Sequence, residues 1–263
     1  MQEFRHLEYC MGTAFQYWGR SELDDADVKK AIAESVAILH HADEVFSLYK
    51  EDSPLSRLAR GETSIAELPS EVEYIWDECE KWEKVTEGWF SAMTPANTFD
   101  PSGLVKSWAA QKAADRMIEL GVTDFAINAG GDILLSKNVS SGKPKRIGVG
   151  KPVSIASKDS GALVVLDLNE TDFYAVATSG TTERGEHIWN PKAGRQNANQ
   201  LLQVTVVARD IITADVFATA AFAAGNQADA FLDRHLDKLE AMLIDLNGDV
   251  YATKGFSQLV SPV

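Results

Sequence analysis

The stretch TADVFATAAFAAG, residues 213–225, decides how the rest of the chain is arranged. Nearly all of its residues are Ala, Val, Phe, Thr or Gly, which predicts a helix that is buried over most of its surface. Asp215 is the one charged residue in this helix. An isolated carboxylate inside a protein is costly, so it is usually neutralised by a cation, a metal or a proton. Asp215 is therefore the first candidate functional residue.

Two interpretations of Asp215 follow from its position. Thr219 lies four residues later, so its hydroxyl and the Asp215 carboxylate share one helix face. A carboxylate and a hydroxyl placed in this way suit a hard, oxygen-preferring ion such as Mg²⁺. In the alternative interpretation Asp215 begins the helix and caps it, which on this stretch alone is the more common arrangement. The sequence leaves both interpretations open.

The regions on either side of this helix predict an α+β fold. Helices are concentrated early in the chain and strands late, with the 213–225 helix inserted among the strands, and this order favours α+β over a doubly wound sheet. The expected architecture is a single domain over residues 1–263, with a mixed β-sheet flanked by helices. Apolar spacing predicts long helices at about Asp24–Phe46 and Leu104–Leu120. Strands are predicted at 4–17 with a break at Gly12, Phe125–Asn128, Ile133–Leu135, Arg146–Val149, Ala162–Leu168, Tyr174–Ala177, Leu201–Ala208, Ala241–Asp245 and Val250–Thr253.

The composition is that of an ordinary globular protein with an acidic surface. The 263 residues include 25 Lys and Arg against 39 Asp and Glu, which gives a net charge of −14. Such a surface argues against nucleic acid or an anionic membrane as the main partner. Cys10 and Cys79 show no metal-ligand spacing, and no segment has the roughly 18 apolar residues of a membrane span. The N-terminus has no signal-peptide pattern, so the expected location is cytoplasmic, without a membrane anchor.

Two loops and one histidine carry further candidate residues. The paired glycines Gly130 and Gly131 let the backbone approach a ligand closely, although a tight turn between strands explains them equally well. The stretch FDPSGLVK, residues 99–106, leads into a helix whose N-terminal amides could bind an anion. Read alone, this stretch is more simply a turn before a helix. His187 is a candidate general base, although a lone His is more often a surface or packing residue.

These motifs are weak one by one, but their order along the chain is specific. In order they are MGT at 11–13, FSLY at 46–49, DSPLSR at 52–57, DPSGLVK at 100–106, NAGGD at 128–132, ATSG at 177–180, HIWNP at 187–191 and ADVFAT at 214–219. This series extends over roughly residues 8 to 250. It closely resembles the FAD:protein FMN transferases, the ApbE family.

The resemblance implies an activity. Members of this family bind FAD with Mg²⁺, split its pyrophosphate and move FMN onto a Thr hydroxyl of a target flavoprotein, releasing AMP. The implied partners are therefore FAD and a flavoprotein that carries the acceptor Thr. Some members instead hydrolyse FAD to FMN and AMP. A pyrophosphatase that uses water as acceptor and a flavin-binding protein without turnover are the alternatives.

The resemblance also implies roles for individual residues. Asp215, Thr219 and the backbone carbonyl of Gly103 match positions of metal ligands. His187 matches a histidine proposed as the base for the acceptor hydroxyl. The positions that match the flavin site are Met11, Tyr49, Ser91, Ala92, Met93, Asp100, Lys106, Asn128, Gly130, Gly131, Asp132 and Trp189.

Some features differ from the family pattern. Asn190-Pro191 stands where relatives commonly have Asp-Pro, which removes a charge near the expected base. Ser102 and Ser107 stand where the family often has Gly, so the fit around phosphate is expected to differ. The motif at Asp215 offers one carboxylate, which predicts one bound metal ion rather than a close pair. Many relatives are exported and lipid-anchored, whereas this sequence implies a cytoplasmic target.

Overall fold

The structure is a computed structural model that describes residues 1–137, 145–152, 161–180, 188–193, 195–196 and 201–261. The α-helices in this part of the chain are α1 (Asp25–Phe46), α2 (Pro54–Ala59), α3 (Ser70–Val85), α4 (Ser102–Glu119), α5 (Ile211–Ala224), α6 (Ala228–Leu232) and α7 (Lys254–Leu259). None of these helices combines the length and apolar character needed to cross a bilayer.

The strands form one large sheet and two short ribbons. The strands are β1 (Gln2–Cys10), β2 (Thr13–Ser21), β3 (Asp124–Ala129), β4 (Asp132–Leu135), β5 (Arg146–Gly150), β6 (Ala162–Asp167), β7 (Ala175–Gly180), β8 (Trp189–Asn190), β9 (Arg195–Gln196), β10 (Leu201–Ala208), β11 (Leu239–Asp245) and β12 (Val250–Ala252). The large sheet has eight strands in the order β1-β2-β3-β4-β7-β10-β11-β12. β5 pairs with β6, and β8 pairs with β9.

The expected α+β class, with a sheet flanked by helices, is confirmed. Every strand pair in the described part of the chain is antiparallel, so the expected mixed sheet is corrected to an antiparallel one. The physical reason lies in the connections. Helices connect β2 to β3 and β10 to β11, and in both cases the second strand lies beside the first and runs in the opposite direction. A parallel pair would require a connection that returns the chain to the end of the sheet at which the first strand began.

Different elements cover the two faces of the large sheet. The helices α1, α4 and α5 pack against one face, where Tyr17 and Ile127 are buried. The β5–β6 ribbon and α7 belong to a second core on the other face, which includes Phe256. Because successive strand residues point to opposite faces, β10 contributes Val206 to the first core and Val207 to the second. The central strand β10 is therefore buried on both sides.

The apolar stretch at 213–225 forms most of α5, which packs on β7 and β10. Asp210 caps this helix: its carboxylate accepts hydrogen bonds from the Thr213 backbone N–H at 2.7 Å and from the Thr213 hydroxyl at 2.8 Å. Asp215 lies in the next turn and is only 5% exposed. The capping interpretation of Asp215 is wrong, because Asp210 already accepts the hydrogen bonds of the helix start. The carboxylate of Asp215 is a core group.

Replacing the cap tests this assignment. Asp210→Ala is expected to lower the free energy of unfolding by about 1 kcal/mol, because Thr213 loses both hydrogen bonds. Asp210→Asn is the matched control, since Asn caps helices about as well as Asp. Urea denaturation of the two variants measures the difference. Equal stability of both variants and the wild type would remove Asp210 as the cap.

Candidate functional site

A cavity of about 420 Å³ lies between the helices α4 and α5 and the strands β3, β4 and β7. Small-molecule sites commonly enclose roughly 300 to 1,000 Å³, so this cavity is large enough for a nucleotide-sized fragment. The start of α4, the β3–β4 turn and one face of α5 supply much of its polar lining. β5, which belongs to the second core on the opposite face of the sheet, also contributes to the cavity wall.

The cavity collects most of the residues that the sequence singled out. Those that line it are Ser91, Asp100, Gly103, Lys106, Asn128, Gly130, Gly131, Trp189, Asp215 and Thr219. They come from segments that span more than 120 residues of sequence, and the fold brings them to one place. The three positions expected to hold a metal are all among them.

Five positions expected at the flavin site lie outside the cavity wall: Asp132, whose contacts are described below, and four others. Tyr49 is 97% exposed in the connection between α1 and α2. Met11 occupies the turn between β1 and β2 with a φ of 54° and packs partly against the helix-side core. Ala92 is buried in that core and Met93 packs against it. Contacts of these last four residues with a ligand stay predictions.

His187 lies outside the described residues. The next residue, Ile188, is buried and lines the cavity together with Trp189. The role of His187 as a base stays a prediction.

Three charged side chains meet at the cavity wall. The Lys106 ammonium of α4 forms an ion pair with the Asp132 carboxylate at the start of β4. The same ammonium lies 3.7 Å from Oδ2 of Asp215 on α5. Asp132 is 2% exposed and does not line the cavity, whereas Lys106 and Asp215 do. The cation therefore stands between two buried carboxylates, with its exposed side facing the cavity.

The hydroxyl of Thr219 faces the same region as Asp215. Its Oγ1 lies 3.2 Å from Oγ of Ser179 at the end of β7. No group of three His, Cys, Asp or Glu side chains that could hold a metal occurs in the described part of the chain. The donors that the cavity offers near Asp215 are oxygens of one carboxylate, hydroxyls and backbone. A hard cation such as Mg²⁺ prefers this donor set and commonly takes its remaining ligands from water or phosphate. The residues present therefore fit a hard cation of this kind, and a single magnesium ion stays a prediction.

Two motifs act as turns and also face the cavity. The Asp100 carboxylate accepts a hydrogen bond at 3.0 Å from the backbone N–H of Ser102, at the start of α4. In the β3–β4 hairpin, the Asn128 side chain accepts one at 2.7 Å from the backbone N–H of Gly131. Gly130 and Gly131 have φ values of 62° and 101°, in the left-handed region that glycine adopts without strain. The turn interpretations of both motifs are correct, and the same residues line the cavity.

The apolar part of the cavity was not found from the sequence. It is formed by Ile133 of β4, Val176 of β7 and the β5 residues Ile147 and Val149. The sequence predicts the strands that carry them but does not show that these strands border a cavity. The aromatic residues Trp89 and Phe90, in the segment before Ser91, also line it. Lys192 stacks over the Trp89 ring, 3.8 Å from its centroid.

Comparison with known proteins assigns the chain to a family. The model of the ApbE family matches residues 91–243, which is more than half of the chain and includes the cavity-lining segments of α4, β3, β4 and α5. The chain belongs to the ApbE family. The resemblance seen in the order of the sequence motifs is thereby confirmed.

Solved structures of this family share the fold of this chain. The flavin transferase ApbE from Vibrio cholerae is 21% identical, and the match covers 98% of this chain and 99% of that chain with a TM-score of 0.79. The flavinyl transferase ApbE from Pseudomonas stutzeri is 20% identical, with 100% and 98% coverage and a TM-score of 0.82. At this level of identity the match establishes the ApbE fold.

Curated relatives match a part of their length. A protein named FAD:protein FMN transferase from Vibrio cholerae is 32% identical over 136 residues, which are 49% of this chain and 39% of that protein. A protein of the same name from Klebsiella pneumoniae is 27% identical over 164 residues, or 59% and 48% of the two chains. The chain thus matches less than half the length of these two relatives.

The charge cluster makes a prediction about stability. Lys106→Met is expected to lower the free energy of unfolding by about 3 kcal/mol, because it leaves the buried Asp132 carboxylate without its ammonium. The double variant Lys106→Met/Asp132→Asn is expected to regain most of that loss, since it removes both members of the pair. Urea denaturation measures both changes. A double variant as unstable as the single one would mean that Lys106 stabilises the fold by packing alone.

Proposed function

We propose that this chain is a Mg²⁺-dependent FAD:protein FMN transferase. The observation that carries the proposal is one cavity, in a member of the ApbE family, that combines an ammonium with carboxylate, hydroxyl and backbone oxygens. The name FAD:protein FMN transferase, which both curated relatives carry, agrees with it. The proposed substrates are FAD and a flavoprotein that carries an acceptor Thr.

In the proposed binding site, polar and apolar groups of the cavity bind different parts of FAD. The backbone of the Asn128–Asp132 turn and the N-terminal end of α4 offer amides to anionic or carbonyl oxygens. Lys106 contributes a positive charge to the pyrophosphate from the cavity wall. The apolar surface of Ile133, Ile147 and Val176 suits the planar rings of a flavin nucleotide. Together with the proposed Mg²⁺, these donors would offset the negative charge of the chain, −14 overall, where the pyrophosphate binds.

The cation is proposed to bind between α4 and α5. Asp215 and Thr219 are the side-chain ligands in this proposal, and the backbone of Gly103 supplies a further oxygen. When bound, Mg²⁺ neutralises charge on the phosphate oxygens as the pyrophosphate is split. The structure places Lys106 beside the same carboxylate, so two positive groups would face the pyrophosphate.

The proposed reaction is a transfer at phosphorus. The oxygen of the acceptor Thr hydroxyl forms a bond to the phosphorus of the FMN half of FAD. The bond from that phosphorus to the bridging oxygen breaks, and AMP leaves with the electron pair on that oxygen. His187 is the proposed acceptor of the hydroxyl proton. A pyrophosphatase follows the same scheme with water in place of the Thr hydroxyl.

The remaining expectations belong to this proposal. Residues 1–263 are proposed to act as one ApbE-like flavin transferase domain. A cytoplasmic location, with a cytoplasmic target protein, stays a prediction from the sequence.

Release of AMP tests the proposed function. The full chain is incubated with FAD and Mg²⁺, with and without a flavoprotein fragment that carries a candidate acceptor Thr, and AMP is measured by chromatography. A transferase releases AMP in a metal-dependent way and faster when the acceptor is present. Equal AMP release with and without several acceptors would favour the pyrophosphatase. Intact FAD in every reaction would favour a binding protein without turnover.

Asp215→Asn is expected to abolish metal-dependent AMP release, because the substitution keeps the shape of the side chain and removes the charge that would hold the cation. Asp210→Asn is the matched control, because it makes the same substitution on the cap of the same helix and outside the cavity. The control is expected to release AMP at the wild-type rate. Wild-type rates in Asp215→Asn would remove Asp215 from the mechanism.

A further inference from the structure

The Lys106 ammonium is shared unequally between two carboxylates. It forms a direct hydrogen bond to Oδ2 of Asp132, whereas its distance to Oδ2 of Asp215 is 3.7 Å. Hydrogen bonds between such groups span about 2.7 to 3.2 Å, so the contact with Asp215 is electrostatic attraction at a longer range. Three different elements supply the three groups: α4, β4 and α5. Their spacing is therefore set by the tertiary fold.

Asp132 is itself held in place. Its other oxygen, Oδ1, accepts a hydrogen bond at 2.9 Å from the backbone N–H of Thr178 on β7. The residue is 2% exposed, and it begins β4 directly after the Gly130–Gly131 turn. One donor from a backbone and one from an ammonium fix both oxygens of the carboxylate. Asp132 does not line the cavity, so it does not contact a ligand there directly. Its effect on the site is exerted through Lys106.

We propose that Asp132 is a positioning residue that holds the Lys106 ammonium away from Asp215. Attraction between opposite charges in a poorly solvated site is strong, and an ammonium will pair with the carboxylate it can reach. Asp132 offers Lys106 the nearer carboxylate. The carboxylate of Asp215 is thereby kept at a distance at which a divalent cation can share it. The effect on cation binding rests on the proposed function, whereas the effect on the position of Lys106 does not.

The proposal gives Asp132 an effect that depends on Lys106. With Asp132→Asn, the attraction that holds the ammonium is reduced, and Asp215 becomes the carboxylate with which Lys106 pairs. Divalent-cation affinity is then expected to fall by about tenfold or more, which is the usual range for residues that orient a metal ligand. With Lys106→Met there is no ammonium to hold, so the same substitution of Asp132 is expected to matter much less.

Two measurements on the full-length chain test this role. The first is a crystal structure of metal-free Asp132→Asn, which locates Lys106 directly. The second is titration with Mn²⁺, followed by electron paramagnetic resonance, of the wild type, Asp132→Asn, Lys106→Met and the double variant. Glu34→Gln is the matched control, because it removes one carboxylate from the Arg116 ion pair between α1 and α4, away from the cavity. Thermal melts confirm that each variant is folded.

The expected results are specific. In the Asp132→Asn crystal, Nζ of Lys106 moves to within about 3.2 Å of the Asp215 carboxylate. The loss of Mn²⁺ affinity caused by Asp132→Asn is at least about fivefold smaller in the Lys106→Met background, as expected for coupled residues. Glu34→Gln binds Mn²⁺ like the wild type.

Two results would overturn the proposal. The first is a Lys106 side chain that keeps its distance from Asp215 in the Asp132→Asn crystal. The second is an equal loss of affinity with and without Lys106, which would mean that Asp132 acts by its charge or through the fold. If Mn²⁺ binds none of the proteins, the metal is removed from the proposed function, and the crystal structure alone decides whether Asp132 positions Lys106.

Discussion

The meeting of one lysine with two buried aspartates is the constraint on which the site depends. A lysine on α4 lies between an aspartate that begins β4 and an aspartate in the middle of α5. A poorly solvated carboxylate is tolerated only when charges or hydrogen bonds around it are well placed. The two helices and the sheet must therefore meet with the spacing observed.

The antiparallel sheet provides the frame for this cluster. β10 is buried along its whole length, with α5 on one side and the second core on the other. α5 is consequently held on a rigid base and presents Asp215 and Thr219 to the cavity. The Gly130–Gly131 turn brings β3 and β4 together at the cavity edge, where the backbone itself is exposed to a ligand. The site therefore combines backbone groups from a turn with side chains from two helices.

Much of the fold could be predicted from sequence periodicity. The long helices and most strands begin and end within a few residues of the predicted limits, because their apolar patterns are regular. The local sequence pattern could not show which of two aspartates caps α5. Asp210 and Asp215 both stand near the start of an apolar helix, and only the structure shows that the helix begins at Ile211 and leaves Asp215 inside. The apolar sequence around Asp215 had correctly indicated that this carboxylate is unusual.

The candidate site shows the limit of reasoning from one sequence. Most of the residues that the order of the motifs predicted do line the cavity, because the resemblance carried information about a fold. Pairing of Lys106 with Asp132 joins residues 26 positions apart on different elements, and no local pattern indicates it. The apolar wall from β4, β5 and β7 was missed for the same reason. Tyr49 was expected at the flavin site but is almost fully exposed, and its contact with a ligand stays a prediction.

Mass spectrometry of the acceptor protein tests the central claim most directly. The full chain, FAD and Mg²⁺ are incubated with a flavoprotein fragment that carries a candidate acceptor Thr, and a reaction without metal serves as control. We predict a metal-dependent increase in the mass of the fragment, equal to FMN less one water and located on that Thr. An unmodified fragment alongside intact FAD, across a panel of acceptors, would contradict the account.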